Sequence, residues 1–281
     1  MSTSSKTPSS IGVAPWKPIF LTHLSKMSSP EFVLSSLHPS TDPSSPTPYV
    51  PRARTCIYRG MWAELPENKH SSAPQNEKVY ETDLPTFTTD VRMAKVPEIF
   101  ASCQGHGEPE QSQGSGGGGP VEAVFWVKEV MTQWRIRGEA YIVGPDIEEA
   151  GGGSSGVRAV KHKIGERMRV VKEEGKQGWS WEKEVTAHFG NLTPGMRGSF
   201  KNPAPGSPVS VPPEKGLELG QQVNDLHDEI ARSNFRVCII RPEEVEQVDL
   251  SVPDKARRWK YTFVGPNGGE IGEWNKEELW P

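Results

Sequence analysis

The chain has 281 residues, with 32 Lys and Arg against 36 Asp and Glu and a formal charge of -4, enough to bury a sizeable core as one large domain or two small ones. The slight acidic excess excludes a general nucleic-acid binder, and no apolar run approaches the roughly 20 residues that span a bilayer. The three cysteines, Cys56, Cys103 and Cys238, are far apart and odd in number, which fits reduced thiols in a cytoplasmic protein better than a disulfide framework or a zinc site.

Residues 1–13 are polar, without the apolar stretch of a secretory signal, and are expected to be a disordered leader to a single domain over 14–281. Pro15 is a good first helical residue. Trp16, Ile19, Phe20, His23 and Leu24 come next at helical spacing and predict an amphipathic helix. Pro39 to Tyr49 is expected to be a loop feeding a first strand at Thr55 to Trp62. Val79 to Glu81 and Pro85 to Thr89 are short and extended. A helix is expected from about Val91 to Ser102, with Val96, Ile99 and Phe100 inward and Pro97 limiting its regularity. Residues 104–120 hold the run Gly114 to Gly119, which lacks the Lys-Ser/Thr ending of a P-loop and the spacing of a dinucleotide fingerprint. A flexible insertion is expected there, with others near 144–157 and 201–216.

Val121 to Val127 and Gln133 to Val143 predict a hairpin, the second arm alternating apolar Trp134, Ile136, Ala140 and Ile142 with Gln133, Arg135 and Arg137. Val157 to Glu174, Trp181 to Leu192 and Leu217 to Arg232 are expected to be helical. Phe235 to Ile240, Glu244 to Leu250, Arg257 to Val264 and Glu273 to the terminus are expected strands, with a turn at Gly265 to Gly269. The order does not alternate β and α regularly. The expected fold is therefore mainly β: an antiparallel barrel surrounded by helices.

Two segments carry the chemistry. Pro51 to Gly60 and Phe87 to Lys95 each join a short extended run to cations and hydroxyls. Guanidinium and ammonium donors with threonine hydroxyls at a strand-to-helix junction are what a bound phosphate needs. The candidates are Arg54, Thr55, Cys56, Ile57 and Arg59 in the first segment, and Thr88, Thr89, Arg92 and Lys95 in the second. Gln133 and Arg135 form a polar strand face that could meet solvent, a ligand or a partner subunit. Arg197 and Ser199 lie in a further cationic turn, with helix capping as the other reading. Asp90 has two readings, acid or base and helix N-cap. The seven histidines show no metal spacing; His23 and His188 sit among apolar helix residues as expected core histidines. The seven tryptophans from Trp126 onward read as core or interface residues.

Pro51, Arg54, Cys56, Ile57, Arg59 and Gly60, followed by Phe87, Thr88, Thr89, Arg92 and Lys95, resemble the two motifs of the pyridoxamine 5'-phosphate oxidase-like family of FMN-binding split β-barrels. The likeness is closest to the branch known only as an FMN-binding domain. It extends from Ala14-Pro15-Trp16 to Leu279-Trp280-Pro281. It implies a split β-barrel of antiparallel strands with FMN as cofactor and a homodimer holding the flavin between subunits. It further implies that Arg54 contacts the FMN phosphate and that Thr55 to Ile57 run along the flavin ring. Gln133 and Arg135 would lie near the flavin, with Arg258 reaching it from the C-terminal strands.

Two departures qualify the likeness. Met93 stands where the family commonly has Ser. The stretch Lys255 to Lys260 has no counterpart of the Arg-x-His pair with which true pyridoxamine phosphate oxidases hold substrate. The expectation is an FMN-dependent oxidoreductase of unassigned substrate, with no catalytic side chain identified and no metal. A non-catalytic flavin carrier or sensor, or an interaction barrel, is the alternative.

Overall fold

A computed structural model of the protein describes residues 12–69, 71–103, 113–148, 153–265 and 272–281. Most of the expected leader, much of the 104–120 insertion, residues 149–152 and most of the turn after Gly265 lie outside the described residues.

The chain runs α1 (Lys17–Leu24), β1 (Glu31–Pro39), β2 (Tyr49–Met61), β3 (Tyr80–Glu81), β4 (Pro85–Asp90), α2 (Lys95–Ala101), β5 (Gly116–Val127) and β6 (Thr132–Val143). It continues through α3 (Ser155–Gly165), β7 (Arg169–Val170), α4 (Trp181–Gly190), α5 (Pro194–Gly198), α6 (Glu229–Asn234), β8 (Phe235–Asp249), β9 (Arg257–Val264) and β10 (Glu273–Leu279). The main sheet has the order β10-β9-β8-β4-β2-β1-β5-β6, every described pairing in it is antiparallel, and β6 also pairs with β8. That extra pairing closes the strands from β8 through β6 into a barrel and removes their free edges. The β9–β10 arm splays outward from the second half of β8.

Alternation fills the barrel. Leu34, Phe87, Phe125, Trp134 and Ile136 point inward and are buried, as a period of two requires of a strand with one wet face. Helix α1 closes one end with Trp16 and Phe20, the latter edge-on to Phe125 and Trp134 at 5.1 and 5.4 Å. Ile19 is exposed instead, and Lys17 takes the buried position, its Nζ donating to Glu64 Oε1 at 2.7 Å. A second core lies outside the barrel, where α3 and α4 cover Trp62, Val143, Phe235 and Ile239.

Several elements differ from the sequence expectation. Strand β1 was not expected, although Phe32, Leu34 and Ser36 alternate as buried residues; its Ser and His positions hide the pattern. The glycine run is ordered from Gly114 and forms strand β5 from Gly116. Here the glycines serve close packing: a Cβ on Gly119 would lie 2.3 Å from the Ile99 carbonyl oxygen, and Gly117 has φ +93°. Absent side chains let α2 lie directly on β5. The helix expected to Glu174 ends at Gly165, and the one expected from Leu217 shrinks to α6. The two strands around Pro242 are one, because Pro242 sits opposite Gly138 at a register shift. A Cβ at Gly138 would be 2.1 Å from the Arg241 carbonyl oxygen, so the chains approach there in a way only glycine permits.

Candidate functional site

A cavity of about 690 Å³ opens between β2, the turn after β4, and the segment from Leu192 to Leu219. Residues on β2 alternate across the strand: Cys56 belongs to the barrel core, while Thr55, Ile57 and Arg59 border the cavity. Tyr58 pairs with Phe87 and Gly60 with the adjacent Thr86. Arg59 is therefore the extra residue of a β-bulge, and a bulge re-aims its side chain. No hydrogen bond or ion pair engages the Arg59 side chain among the described residues, and its Nε is buried without a partner. Burial pulls this guanidinium below its ordinary value. A buried cationic donor left unmade is costly to the fold and is an available ligand contact.

Lys95, which also borders the cavity, is buried at the start of α2 and donates from Nζ to Thr89 Oγ1 at 3.0 Å. It has no carboxylate partner among the described residues. Thr88, Thr89 and Met93 complete this side. Cys56 also borders the cavity, but burial pushes its thiol up and makes it a poor nucleophile.

Asp90 and Arg92 are engaged with each other. The Asp90 carboxylate accepts from Arg92 Nε at 2.9 Å, Nη2 at 2.6 Å and the Arg92 amide at 2.8 Å. Arg92 also donates to the carbonyls of Asn202 and Phe200 at 3.1 and 3.2 Å. Its fork thus fastens the facing wall of the cavity to the turn after β4.

The other expected contacts lie elsewhere. Arg54 is on the β2 face opposite to Arg59 and donates to Glu98 Oε2 at 2.6 Å and Ser36 Oγ at 2.5 Å. Glu98, on α2, is buried and also meets His38 Nδ1 at 3.2 Å. Arg135 is held by Glu122 and Glu246, and Arg258 by Glu246. Neither these two nor Gln133 borders the cavity. Arg197 is buried, donating to the Val223 carbonyl at 2.8 Å, while Ser199 borders the cavity. Of the twelve residues expected near a cofactor, Thr55, Cys56, Ile57, Arg59, Thr88, Thr89 and Lys95 come together here.

Arg54→Ala is accordingly expected to act on stability. It leaves a buried carboxylate short of its strongest partner, a loss of about 2 kcal/mol. Urea denaturation checks this, and a stability change under 0.5 kcal/mol, roughly the noise of surface substitutions, would contradict it.

Behind Arg59 lies a polar pocket. His188 is fully buried and stacks on Trp62 with ring centroids 5.8 Å apart. Its Nε2 and Glu184 Oε1 are 4.0 Å apart and neither has a hydrogen-bond partner. Burial, reinforced by the Arg59 charge, pushes the imidazole down to about 3. Burial pushes the Glu184 carboxyl upward. Burial thus disfavours charge on both groups, and no ion pair joins either of them to Arg59 among the described residues.

This pocket makes stability depend on pH. The depressed imidazole means that the unfolded chain binds the extra proton first as pH falls below the ordinary value of 6.5. Stability is full above that value and falls by about 1.4 kcal/mol per pH unit toward the folded value. Glu184 titrates in the opposite sense, so the slope is best measured in a Glu184→Gln background. There, His188→Phe should flatten the dependence of the urea midpoint between about pH 5 and 6.5; an unchanged slope would show that another group titrates.

The far wall was legible only in part. Met196, Ser199 and Phe200 belong to the cationic turn singled out above and border the cavity, as do Pro203, Pro208, Val209 and Val211, although the Pro/Gly content after Pro203 suggests only a linker. The available signal was the apolar Val209 and Val211 between prolines.

Comparison with known proteins supports the fold. Residues 13–144 match the family model described as pyridoxamine 5'-phosphate oxidase, FMN-binding domain. A similar solved structure is a pyridoxamine 5'-phosphate oxidase-related, FMN binding protein from Nostoc punctiforme PCC 73102, at TM-score 0.53 and 18% identity, covering 96% of this chain and 99% of that one. PhzG from Burkholderia lata 383, solved with tetrahydrophenazine-1-carboxylic acid, covers 97% of this chain and 100% of its own at 12% identity and TM-score 0.38. No curated protein matches the sequence.

Proposed function

Because residues 13–144 match the family model for the FMN-binding domain of pyridoxamine 5'-phosphate oxidase, we propose that the protein is an FMN-dependent oxidoreductase whose flavin occupies the cavity between β2, β4 and the 192–219 wall. The observation that carries this placement is the two cations that border the cavity, Arg59 on its bulge and Lys95 on Thr89, neither matched by a carboxylate among the described residues. A phosphate monoester brings the missing charge and acceptor oxygens. Thr88 offers a further hydroxyl, and Thr55 to Ile57 offer an extended backbone edge for the ring. The residues present fit FMN.

Bound FMN supplies two-electron redox chemistry; the protein's part is to bind, orient and exclude water. Arg59 and Lys95 anchor the phosphate. Thr55 and Ile57 line the cavity on the β2 side and would hold the flavin there. Arg92 keeps the wall at Phe200 and Asn202 in place without itself meeting the ligand. The cavity is open on one side, and a homodimer would complete it with the second subunit; Arg135 and Arg258 are already paired with Glu122 and Glu246. Among the described residues no helix is long and apolar enough to cross a membrane. Cys56 and Cys238 are buried thiols outside any disulfide, in keeping with a reducing, cytoplasmic setting.

The test is reconstitution. Apoprotein incubated with FMN and desalted should retain flavin absorbance at one FMN per chain, and light scattering should report a dimer. A protein that stays colourless overturns the cofactor assignment, and a monomer that retains FMN overturns only the dimer. Anaerobic bleaching by a screen of reduced donors separates an oxidoreductase from a carrier.

A further inference from the structure

Resting on the FMN reading above, we propose that the part of the cavity left beside the flavin takes a neutral, apolar ring compound and not a second phosphate ester such as pyridoxamine 5'-phosphate. The first ground is a charge count. The only Arg and Lys side chains bordering the cavity among the described residues are Arg59 and Lys95. A phosphate monoester carries about -1.5 to -2 charges at neutral pH, so one FMN phosphate uses both. A second phosphate would find no unused cation among the described lining residues, and covering it beside the flavin without a counter-ion is disfavoured.

The neighbouring cations cannot be recruited cheaply. Arg92 has its fork on Asp90 and two carbonyls. Arg197 is buried and turned to the carbonyls of Val223 and Gly190. Lys201 pairs with Asp228 at 2.9 Å. In the C-terminal strands, Arg257 is committed to Glu278 and Arg258 to Glu246. Freeing any of them leaves a carboxylate or carbonyl unmatched.

The second ground is the wall itself. Met196, Val209, Val211 and Leu219 border the cavity yet remain 39%, 103%, 57% and 77% exposed. With Leu192 and Phe200 they make an apolar surface whose polar neighbours, Ser199, Asn202 and Ser207, are uncharged. A planar apolar ring lying between this wall and the flavin would remove that surface from water, at about 25 cal/mol per Å². The mixture of a mostly apolar lining and a few neutral donors is what a pocket for a small uncharged molecule requires.

The experiment uses protein saturated with oxidised FMN, with loading established by flavin absorbance before any titration. Failure to load overturns the FMN reading itself, whatever the second ligand. Loaded protein is titrated calorimetrically with 2-methyl-1,4-naphthoquinone and with pyridoxamine 5'-phosphate. No reductant is present, so binding alone is read. The quinone should bind at least about tenfold more tightly, a difference of 1.4 kcal/mol, and perturb the flavin absorption bands. Met196→Glu and Val211→Asp, both at exposed positions, should each weaken quinone binding by about tenfold, the same 1.4 kcal/mol. Equal or tighter binding of pyridoxamine 5'-phosphate, no binding of the quinone, or quinone affinity unchanged in both variants overturns the proposal.

Discussion

Asp83→Ala is expected to cost about 3–5 kcal/mol of folding stability, the penalty for leaving a buried charge without its partner. The abandoned charge is Arg167, whose side chain is only 1% exposed and is paired through Nη2 and Nε with the Asp83 carboxylate. Phe263 lies over the guanidinium at 3.6 Å, Trp274 flanks it, and the Trp274 Nε1 donates to Asp83 Oδ2 at 2.9 Å. Arg167 also donates to the Pro242 carbonyl at 3.1 Å. One carboxylate thus ties the end of α3, the middle of β8 and the β9–β10 arm together. Urea denaturation of Asp83→Ala against the parent reads the loss. The paired variant Asp83→Leu with Arg167→Met should recover much of it, because replacing both members of a buried pair by apolar groups is often neutral. A loss under 1 kcal/mol in the single variant would show that water reaches Arg167.

Arg59→Ala is expected to weaken FMN binding by about ten- to a hundredfold, the value of hydrogen bonds to a charged group at about 1.5–3 kcal/mol. No protein acceptor among the described residues engages the Arg59 side chain, so its donors are not committed elsewhere in the fold. Arg59→Lys should fall between the two, since an ammonium keeps the charge and loses the planar fork. Arg54→Ala should change FMN affinity far less, because Arg54 faces Glu98 and Ser36. Quenching of FMN fluorescence on binding measures all three. If Arg54→Ala exceeded Arg59→Ala, the phosphate would lie on the opposite face of β2.

The contrast between these two arginines shows where one-dimensional reasoning reached its limit. Both lie in the same segment and both come after a Pro in an extended run. Which one meets the cavity depends on strand parity, and parity is set by β1, which pairs with β2 in the register Leu34 to Arg54. The bulge at Arg59 then turns on the partner β4. Neither partner's register is readable from local pattern. Thr55, Ile57, Thr88, Thr89 and Lys95 were legible because hydroxyls and cations clustered beside β-type runs are locally distinctive. The polar face of Gln133, Arg135 and Arg258 was legible as a face, but its carboxylate partners Glu122 and Glu246 come from other strands.

The glycine run shows the converse. Composition marks Gly114 to Gly119 as flexible, because glycine has the most backbone freedom to lose. Packing against Ile99 and Phe100 of α2 orders it, at the only residue type that fits. The Pro-rich stretch after Phe200 likewise carries no periodicity, and becomes a wall through Arg92 holding the carbonyls of Phe200 and Asn202.

The sequence by itself determined the mainly β class, the β5–β6 hairpin, the two cationic segments and, through them, the family resemblance. These are properties of short-range pattern: alternation with period two, turn chemistry, and charges placed beside hydroxyls. Only the tertiary structure decided barrel closure by β6 on β8, the choice of Arg59 over Arg54 at the cavity, and the apolar wall facing it. Those depend on contacts between residues remote in the chain, whose free energy comes from burial and pairing and leaves no local signature.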